Sequence, residues 1–290
     1  MNSFFSMELN KKWFRKKIFN FLIEDASNKM LNNGSLIFEP DVLIGCVSGN
    51  DKIFEDYKKI IGNFHMTPIE AYLRYCKKNK NFIPTNLDNI SVVVYILPIN
   101  KETKEQNFIF SKDMPSERWA RTRLFGEQAN QKLQDYLVDE LQKEGIDAVA
   151  PANQSHMFKI FRKHENGVWA STWSHRHVAY AAGLGSFGLS DGFINEKGIA
   201  VRIGTIIVNS NLPSDANKRP KNPYQYCINC GNCIKRCPVG AISFEKGHDK
   251  QKCSEHVYST TPFVKNHFGI NIYACGLCQV GVPCENSFPI

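Results

Sequence analysis

The sequence has no apolar run long enough to cross a bilayer, no internal repeat, no low-complexity tract and no single basic block. It begins MNSFFSMELNKKWFRKKIFNFLIED, where basic residues stand close to a short apolar run that acids soon end. Neither a secretory leader nor a membrane span is expected there, and no twin-arginine pair lies near the start. These absences point to the cytoplasm and to no membrane partner. That compartment keeps thiols reduced, so clustered cysteines are expected to hold metal rather than to pair as disulfides. The formal charge of +8 would suit a nucleic-acid partner if it were concentrated, but Lys and Arg are scattered along the chain. The densest run, KKWFRKK, is expected to form the solvated face of a first helix. Part of the positive excess would offset bound anionic groups.

What is present suits a globular protein. With 290 residues, 42% of them hydrophobic and 22% charged, the chain can bury a sizeable core in one large or two unequal domains. DVLIGCVSG (41–49) and ISVVVYILPI (90–99) are apolar, rich in β-branched residues and bounded by Pro, Gly or Asn, as buried strands are. Between them, Thr67, Pro68 and Glu70 have capping-box spacing and predict a helix start. SERWARTRLFGEQANQKLQDYLVDELQKEG predicts a long helix capped by Ser116, with Leu133, Leu137 and Leu141 on one stripe and Gly145 at its end. A strand IDAVAPA should follow. Then comes a helix in STWSHRHVAYAAGLG, capped by Ser171 or Thr172 and stopped at Gly183, and a strand AVRIGTIIVN. The pattern is α+β or α/β with a mixed sheet. The polar, Pro-rich stretch SNLPSDANKRPKNPYQY is suited to a linker, which divides the chain into residues 1–215 and 216–290.

Eight of the ten cysteines lie beyond that linker: Cys227, Cys230, Cys233, Cys237, Cys253, Cys275, Cys278 and Cys284. Cys46 and Cys76 fall in apolar elements and are expected to be small buried residues. The spacing from Cys227 to Cys237 is C-x2-C-x2-C-x3-C-P, the bacterial ferredoxin run, whose fourth cysteine serves the other cluster of a two-cluster protein. Cys237 is expected to open the following helix, with Pro238 at a first helical position. CGLCQVGVPCE supplies the return half. By pseudo-twofold logic Cys284 joins Cys227, Cys230 and Cys233, while Cys237, Cys253, Cys275 and Cys278 form the second set. The gap between Cys278 and Cys284 is longer than the x3 of an ordinary ferredoxin half. Zinc also binds C-x2-C pairs, but its sites separate the pairs by longer loops and have little use for this run of four. Two [4Fe-4S] clusters are the expectation.

AAGLGSFGLSDGFI (181–194), GIAVRIGTIIVNSNLP (198–213) and the double cluster motif, in that order, resemble the corrinoid iron–sulfur proteins that include epoxyqueuosine reductase and the reductive dehalogenases. The resemblance is firm from about Ser171 onward. It implies an α+β fold in which a nitroreductase-like cobalamin-binding domain is followed by a small ferredoxin-like domain with two [4Fe-4S] clusters. It further implies that Gly183, Gly185 and Gly188 approach the corrin ring and that the clusters feed it electrons, since reduced cobalt needs a low-potential donor. Epoxyqueuosine reductases carry an acid ahead of the AGLG helix, whereas VWASTWSHRHVAY has none. His175, His177 and Tyr180 are the candidates to replace it, because His titrates near neutrality. At i and i+2, at most one of the two histidines should face the pocket. Arg176 would pair with a corrin amide, a carbonyl or a substrate anion.

The expected function is a reductase of a small organic substrate, supplied with electrons by an external ferredoxin or flavodoxin. An electron-transfer protein holding flavin or no further cofactor is one alternative. Epoxide reduction on tRNA is another, ranked lower because the acid is missing and because NSFPI follows Cys284 closely, where those enzymes often continue into a tRNA-binding region.

Overall fold

The computed structural model describes residues 9–30 and 34–289. Asn10 caps α1 (Lys11–Glu24) by accepting from the amides of Lys12 and Trp13, so the KKWFRKK run is helical as expected. After β1 (Leu43–Ser48) come α2 (Ile53–Ile61) and α3 (Pro68–Asn79), the latter opened by a complete capping box between Thr67 and Glu70. Next are β2 (Ile90–Pro98), α4 (Lys101–Phe110) and α5 (Glu117–Lys143), whose Trp119 amide donates to the Ser116 hydroxyl. The expected strand IDAVAPA shrinks to β3 (Ala148–Val149), because Pro151 cannot donate to a ladder. A hairpin that the sequence did not announce, β4 (Ile160–His164) and β5 (Gly167–Ser171), leads into α6 (His175–Ala181). Two short strands, β6 (Gly185–Phe187) and β7 (Phe193–Asn195), precede β8 (Val201–Asn209).

β1, β2, β8 and β3 form the main sheet in that order, and every pairing is antiparallel. This corrects the expectation of a mixed sheet. The apolar continuity of β2 reflects burial on both faces rather than parallel pairing. Val93, Tyr95 and Leu97 meet α1 and α5, whereas Val92, Val94 and Ile96 meet α2, α3 and α6. Two helical layers thus sandwich the sheet.

α6 also starts later than expected. Ser171 belongs to β5, and the Thr172 hydroxyl donates to the Met157 carbonyl, so neither is free to cap a helix. The C-terminal part comprises α7 (Asn232–Arg236), the hairpin β9 (Ile242–Ser243) and β10 (Gly247–His248), α8 (Lys250–Ser259) and α9 (Thr261–Phe268). Its Val264, Ala274 and Val280 join the same apolar core as α1 and α5. The segment before it is firmly tied. Asp215 accepts from Lys11 Nζ at 2.8 Å and from the Cys46 amide at 3.0 Å, and Arg219 reaches both Asp51 and the Ala181 carbonyl.

Candidate cluster and cofactor site

The local backbone bends the cysteine run around a centre. Asn229 and Gly231 adopt left-handed conformations between the first three thiols, and α7 follows directly. Cys237 closes α7 instead of opening a helix, since the residue before a proline is held extended, and the chain then turns at Gly240 into β9. Cys227, Cys230, Cys233 and Cys284 line one cavity of about 400 Å³, walled by Leu189, Ile194, Ile199 and Val282. Burial pushes the Cys284 thiol up to about 12, reinforced by Cys230, Cys227 and Cys233. In the other set, burial pushes Cys275 up to about 11, with Cys253 and Cys237 adding to it. Burial also raises Cys278 well above the usual thiol range, with Cys275, Cys253, Cys233 and Cys237 adding to it. Thiolates crowded into apolar surroundings are costly unless they surround positive charge. Among the described residues, no three His, Cys, Asp or Glu side chains converge on a point that would hold a single ion. Four thiols on one cavity wall, with four more close by in the chain's C-terminal part, suit polynuclear iron–sulfur clusters better than a single ion. Cys46 and Cys76 stand apart, both buried in the core.

α6 sends its side chains to different places. The His175 ring lines a cleft of about 1240 Å³, with Nδ1 2.8 Å from the Thr205 hydroxyl. His177 lies in a neighbouring cavity with Tyr57, Tyr180 and Phe187, its Nδ1 2.8 Å from the Ser174 hydroxyl. Tyr180 donates its hydroxyl to the Pro220 carbonyl at 2.6 Å. His177 and Tyr180 therefore share one cavity, while His175 stands apart in the cleft. Burial lowers His175 to about 4 and, with the charge of Arg176 next, His177 to about 3. Burial thus favours the neutral form of both rings. Arg176 donates to the Asp191 carbonyl and borders both cavities.

The glycines have different neighbours from those expected. A Cβ on Gly183 would meet the Asp215 carbonyl at 2.8 Å, and one on Gly185 the Ile194 carbonyl at 2.1 Å. Their missing side chains make room for these backbone segments. Gly188 lies on the cavity of the first thiol set, not on the cleft.

The cleft itself is amphipathic. Phe158, Ile160, Trp173 and Phe193 supply apolar wall, while Arg123, Glu127, Asn130, Arg202 and Gln279 supply polar groups. Glu127 pairs with Arg202 at 3.1 Å and Arg123 at 3.7 Å, and Arg123 also donates to the Tyr273 hydroxyl. Sequence reasoning missed this trio. Its signals were a charge inside the apolar strand AVRIGTIIVN and an i, i+4 Arg–Glu pair on the long helix. A second cavity, about 680 Å³, shares Arg123, Val201, Arg202 and Gln279 with the cleft and includes Cys275 and Gly276 in its wall. One thiol set thus borders the cavity system. Asn153 Oδ1, on a cleft-lining residue, is buried without a partner among the described residues, as is Trp169 Nε1 beside a further cavity that shares Ile160, Ser174 and Arg176 with the cleft. Large apolar walls with scattered amide, guanidinium and hydroxyl groups fit a corrinoid, a broad apolar ring fringed with amides.

Residues 224–243 match the 4Fe-4S binding domain family. The chain is 29% identical over 252 residues to the epoxyqueuosine reductase of Francisella cf. novicida (strain Fx1), covering 81% of this chain and 63% of that protein. Over that span the chain is similar to an epoxyqueuosine reductase. A second such relative, from Staphylococcus aureus (strain NCTC 8325 / PS 47), is 30% identical over 116 residues, 38% of this chain and 29% of its own length. The chain therefore spans under two thirds of the length of either relative. The catabolic reductive dehalogenase NpRdhA superposes on 96% of this chain with a TM-score of 0.52 and 14% identity, covering 37% of that structure. This likeness extends to the fold. The chain is thus similar in sequence to an epoxyqueuosine reductase, carries a match to the 4Fe-4S binding domain and shares the fold seen in a reductive dehalogenase. Among the described residues no helix is long and apolar enough to cross a membrane.

Proposed function

We propose that the chain is a cytoplasmic oxidoreductase in which residues 1–215 hold a corrinoid and an organic substrate and residues 216–290 carry two [4Fe-4S] clusters. Cys227, Cys230, Cys233 and Cys284 hold one cluster, and Cys237, Cys253, Cys275 and Cys278 the other. The observation that carries this reading is the shared wall: Cys275 lines a cavity continuous in its residues with the cleft that contains His175 and Arg202. A bound corrinoid would supply a cobalt centre able to accept electrons singly and reduce an organic substrate.

The chain's own residues prepare the cleft for that group. Phe158, Ile160, Trp173 and Phe193 exclude water, while Asn130, Asn153, Ser174 and Gln279 offer hydrogen bonds to peripheral amides. Arg176 and Arg202 favour a ligand with negative charge. His175, neutral and tied to Thr205, serves as a hydrogen-bonding group rather than a store of a proton. His177 and Tyr180 shape the adjoining cavity.

The test is anaerobic reconstitution followed by iron and sulfide analysis and titration with cobalamin, following the corrin absorption bands. About eight irons per chain with a tight spectral change is the expected result. Eight irons with no spectral change would sink the corrinoid and leave an electron-transfer protein.

A second reading, epoxide reduction on tRNA, is favoured by the kinship to the Francisella protein over 81% of this chain. It predicts binding to tRNA that weakens steeply with salt as phosphate contacts release counterions. Salt-insensitive or absent binding would favour a small substrate.

A further inference from the structure

The two thiol sets differ in their access to solvent. Of the eight cysteines, Cys230 is exposed and the rest are half-buried, while Cys275 faces the internal cavity wall. The sets adjoin each other, since Arg236, on the helix that carries Cys233, donates to the carbonyl of Leu277, next to Cys278, at 3.2 Å. The first set is therefore the outer one.

Its surroundings are unusual for an exposed loop. Ile228, two residues before Cys230, is 50% exposed, and Phe244, at the tip of the β9–β10 hairpin, is 57% exposed. Phe244 lies over Gly231, which follows Cys230, and Ile228 lines the same cavity as Cys230, so two exposed apolar side chains belong to the loop region of the exposed thiol. α7 packs against β9, which brings exposed Lys235 and Lys246 to the same part of the surface. From 221 to 252 the chain has Lys221, Lys235, Arg236, Lys246, Lys250 and Lys252 against Glu245 and Asp249. Lys221, Lys235, Lys246 and Lys252 have no carboxylate within ion-pair distance among the described residues, whereas Lys250 faces Asp191. A small apolar centre rimmed by unpaired cations, over a redox-active thiol set, has the make-up of a transient docking surface for an acidic partner.

We propose that this face, centred on Cys230, Ile228 and Phe244 and rimmed by Lys235 and Lys246, docks an acidic one-electron carrier protein that reduces the outer cluster. It rests on the reading of the thiol sets as clusters. One electron passes from the reduced carrier to the oxidised outer cluster, so the carrier is oxidised by one unit as the cluster is reduced by one, with no bond made or broken. Basic steering accelerates encounter and is screened by salt, because exposed charges lose their reach beyond about 10 Å at 0.1 M ionic strength.

The test is stopped-flow bleaching of the cluster absorbance in the reconstituted full chain, with reduced flavodoxin as the acidic carrier and dithionite as a small reductant. Lys235→Glu and Lys246→Glu together are expected to slow reduction by flavodoxin about tenfold or more at low salt. The difference should shrink as salt rises, and the iron content and the dithionite rate should not change. A flavodoxin rate indifferent to both the substitutions and salt would overturn the proposal, as would equal slowing with dithionite or no reduction by flavodoxin at any salt. Because bleaching reports the clusters alone, a failed cobalamin titration would leave this result standing, and the two failures are told apart.

Discussion

His175 Nδ1 lies 2.8 Å from the hydroxyl of Thr205, a residue of the central strand β8. The same hydroxyl receives the Trp173 indole N–H at 2.8 Å. An indole can only donate, so the Thr205 oxygen accepts from Trp173 and its own proton is free to point at His175 Nδ1. With the hydroxyl so turned the imidazole carries its proton on Nε2, whereas a proton on Nδ1 would make the same oxygen accept from both rings. Replacing Thr205, which is wholly buried, by Val keeps the shape but leaves the indole donor unsatisfied. We expect T205V to lose about 2 kcal/mol in denaturant unfolding, whereas T205S, which keeps the hydroxyl, should lose clearly less. Equal losses would mean that the methyl, not the hydrogen bonds, carries the stability.

Stability should also depend on pH in a defined window. His175 is lowered to about 4 and His177 to about 3, burial being the main cause in each, and buried His65 is lowered in the same way. In the unfolded chain each titrates near 6.5. Between that value and the folded one the unfolded state binds more protons, so stability is full above about pH 6.5 and falls as the solution is acidified. Each histidine contributes up to about 1.4 kcal/mol per pH unit inside the window. Urea midpoints measured from pH 7.5 to 5 should fall, and His175→Gln should flatten the slope. A midpoint unchanged over that range would show that water in the cleft solvates the rings.

The cluster assignment is checked most sharply at Cys284, the ligand with the unusual spacing. Cys284→Ser should remove up to about four irons per chain, because the outer set loses one of its four thiols. Cys46→Ser and Cys76→Ser, buried in the core and outside both sets, should leave the iron count unchanged. A full complement of iron in Cys284→Ser would require another fourth ligand.

Where local chemistry decides the outcome, the sequence was legible. The capping box at Thr67, the Ser116 cap, the buried strands and the ferredoxin spacing each rest on neighbours within four residues. The rest depends on distant groups. β2 looks like a strand of a parallel sheet because helices cover both its faces, and nothing in its own residues reports the direction of β1 and β8. Ser171 and Thr172 resemble helix caps until the hairpin partners Ile160 and Met157 claim them. Gly183 and Gly185 resemble a ligand loop, yet the backbones they admit belong to Asp215 and Ile194, brought in by tertiary packing. Glu127 and the two arginines it joins come from α5 and β8, seventy-odd residues apart in sequence.

Gly276 ties the second thiol set to the core, and its substitution is the most demanding test of that link. It sits in the left-handed region at φ +68 between Cys275 and Cys278, and a Cβ there would lie 2.0 Å from the ring of buried Trp119 on α5. Two costs combine in Gly276→Ala, the strain of a positive φ and the displacement of an indole in a close-packed core. Gly145 offers the control, since it has φ +74 with nothing within 4 Å of an added Cβ. Gly145→Ala should cost only the backbone part, about 1 kcal/mol, and bind full iron. Gly276→Ala should lose about 2–4 kcal/mol and, because the shift falls on Cys275 and Cys278, a share of the iron as well. If both variants lose the same small stability and keep all their iron, Trp119 does not hold the second set in place.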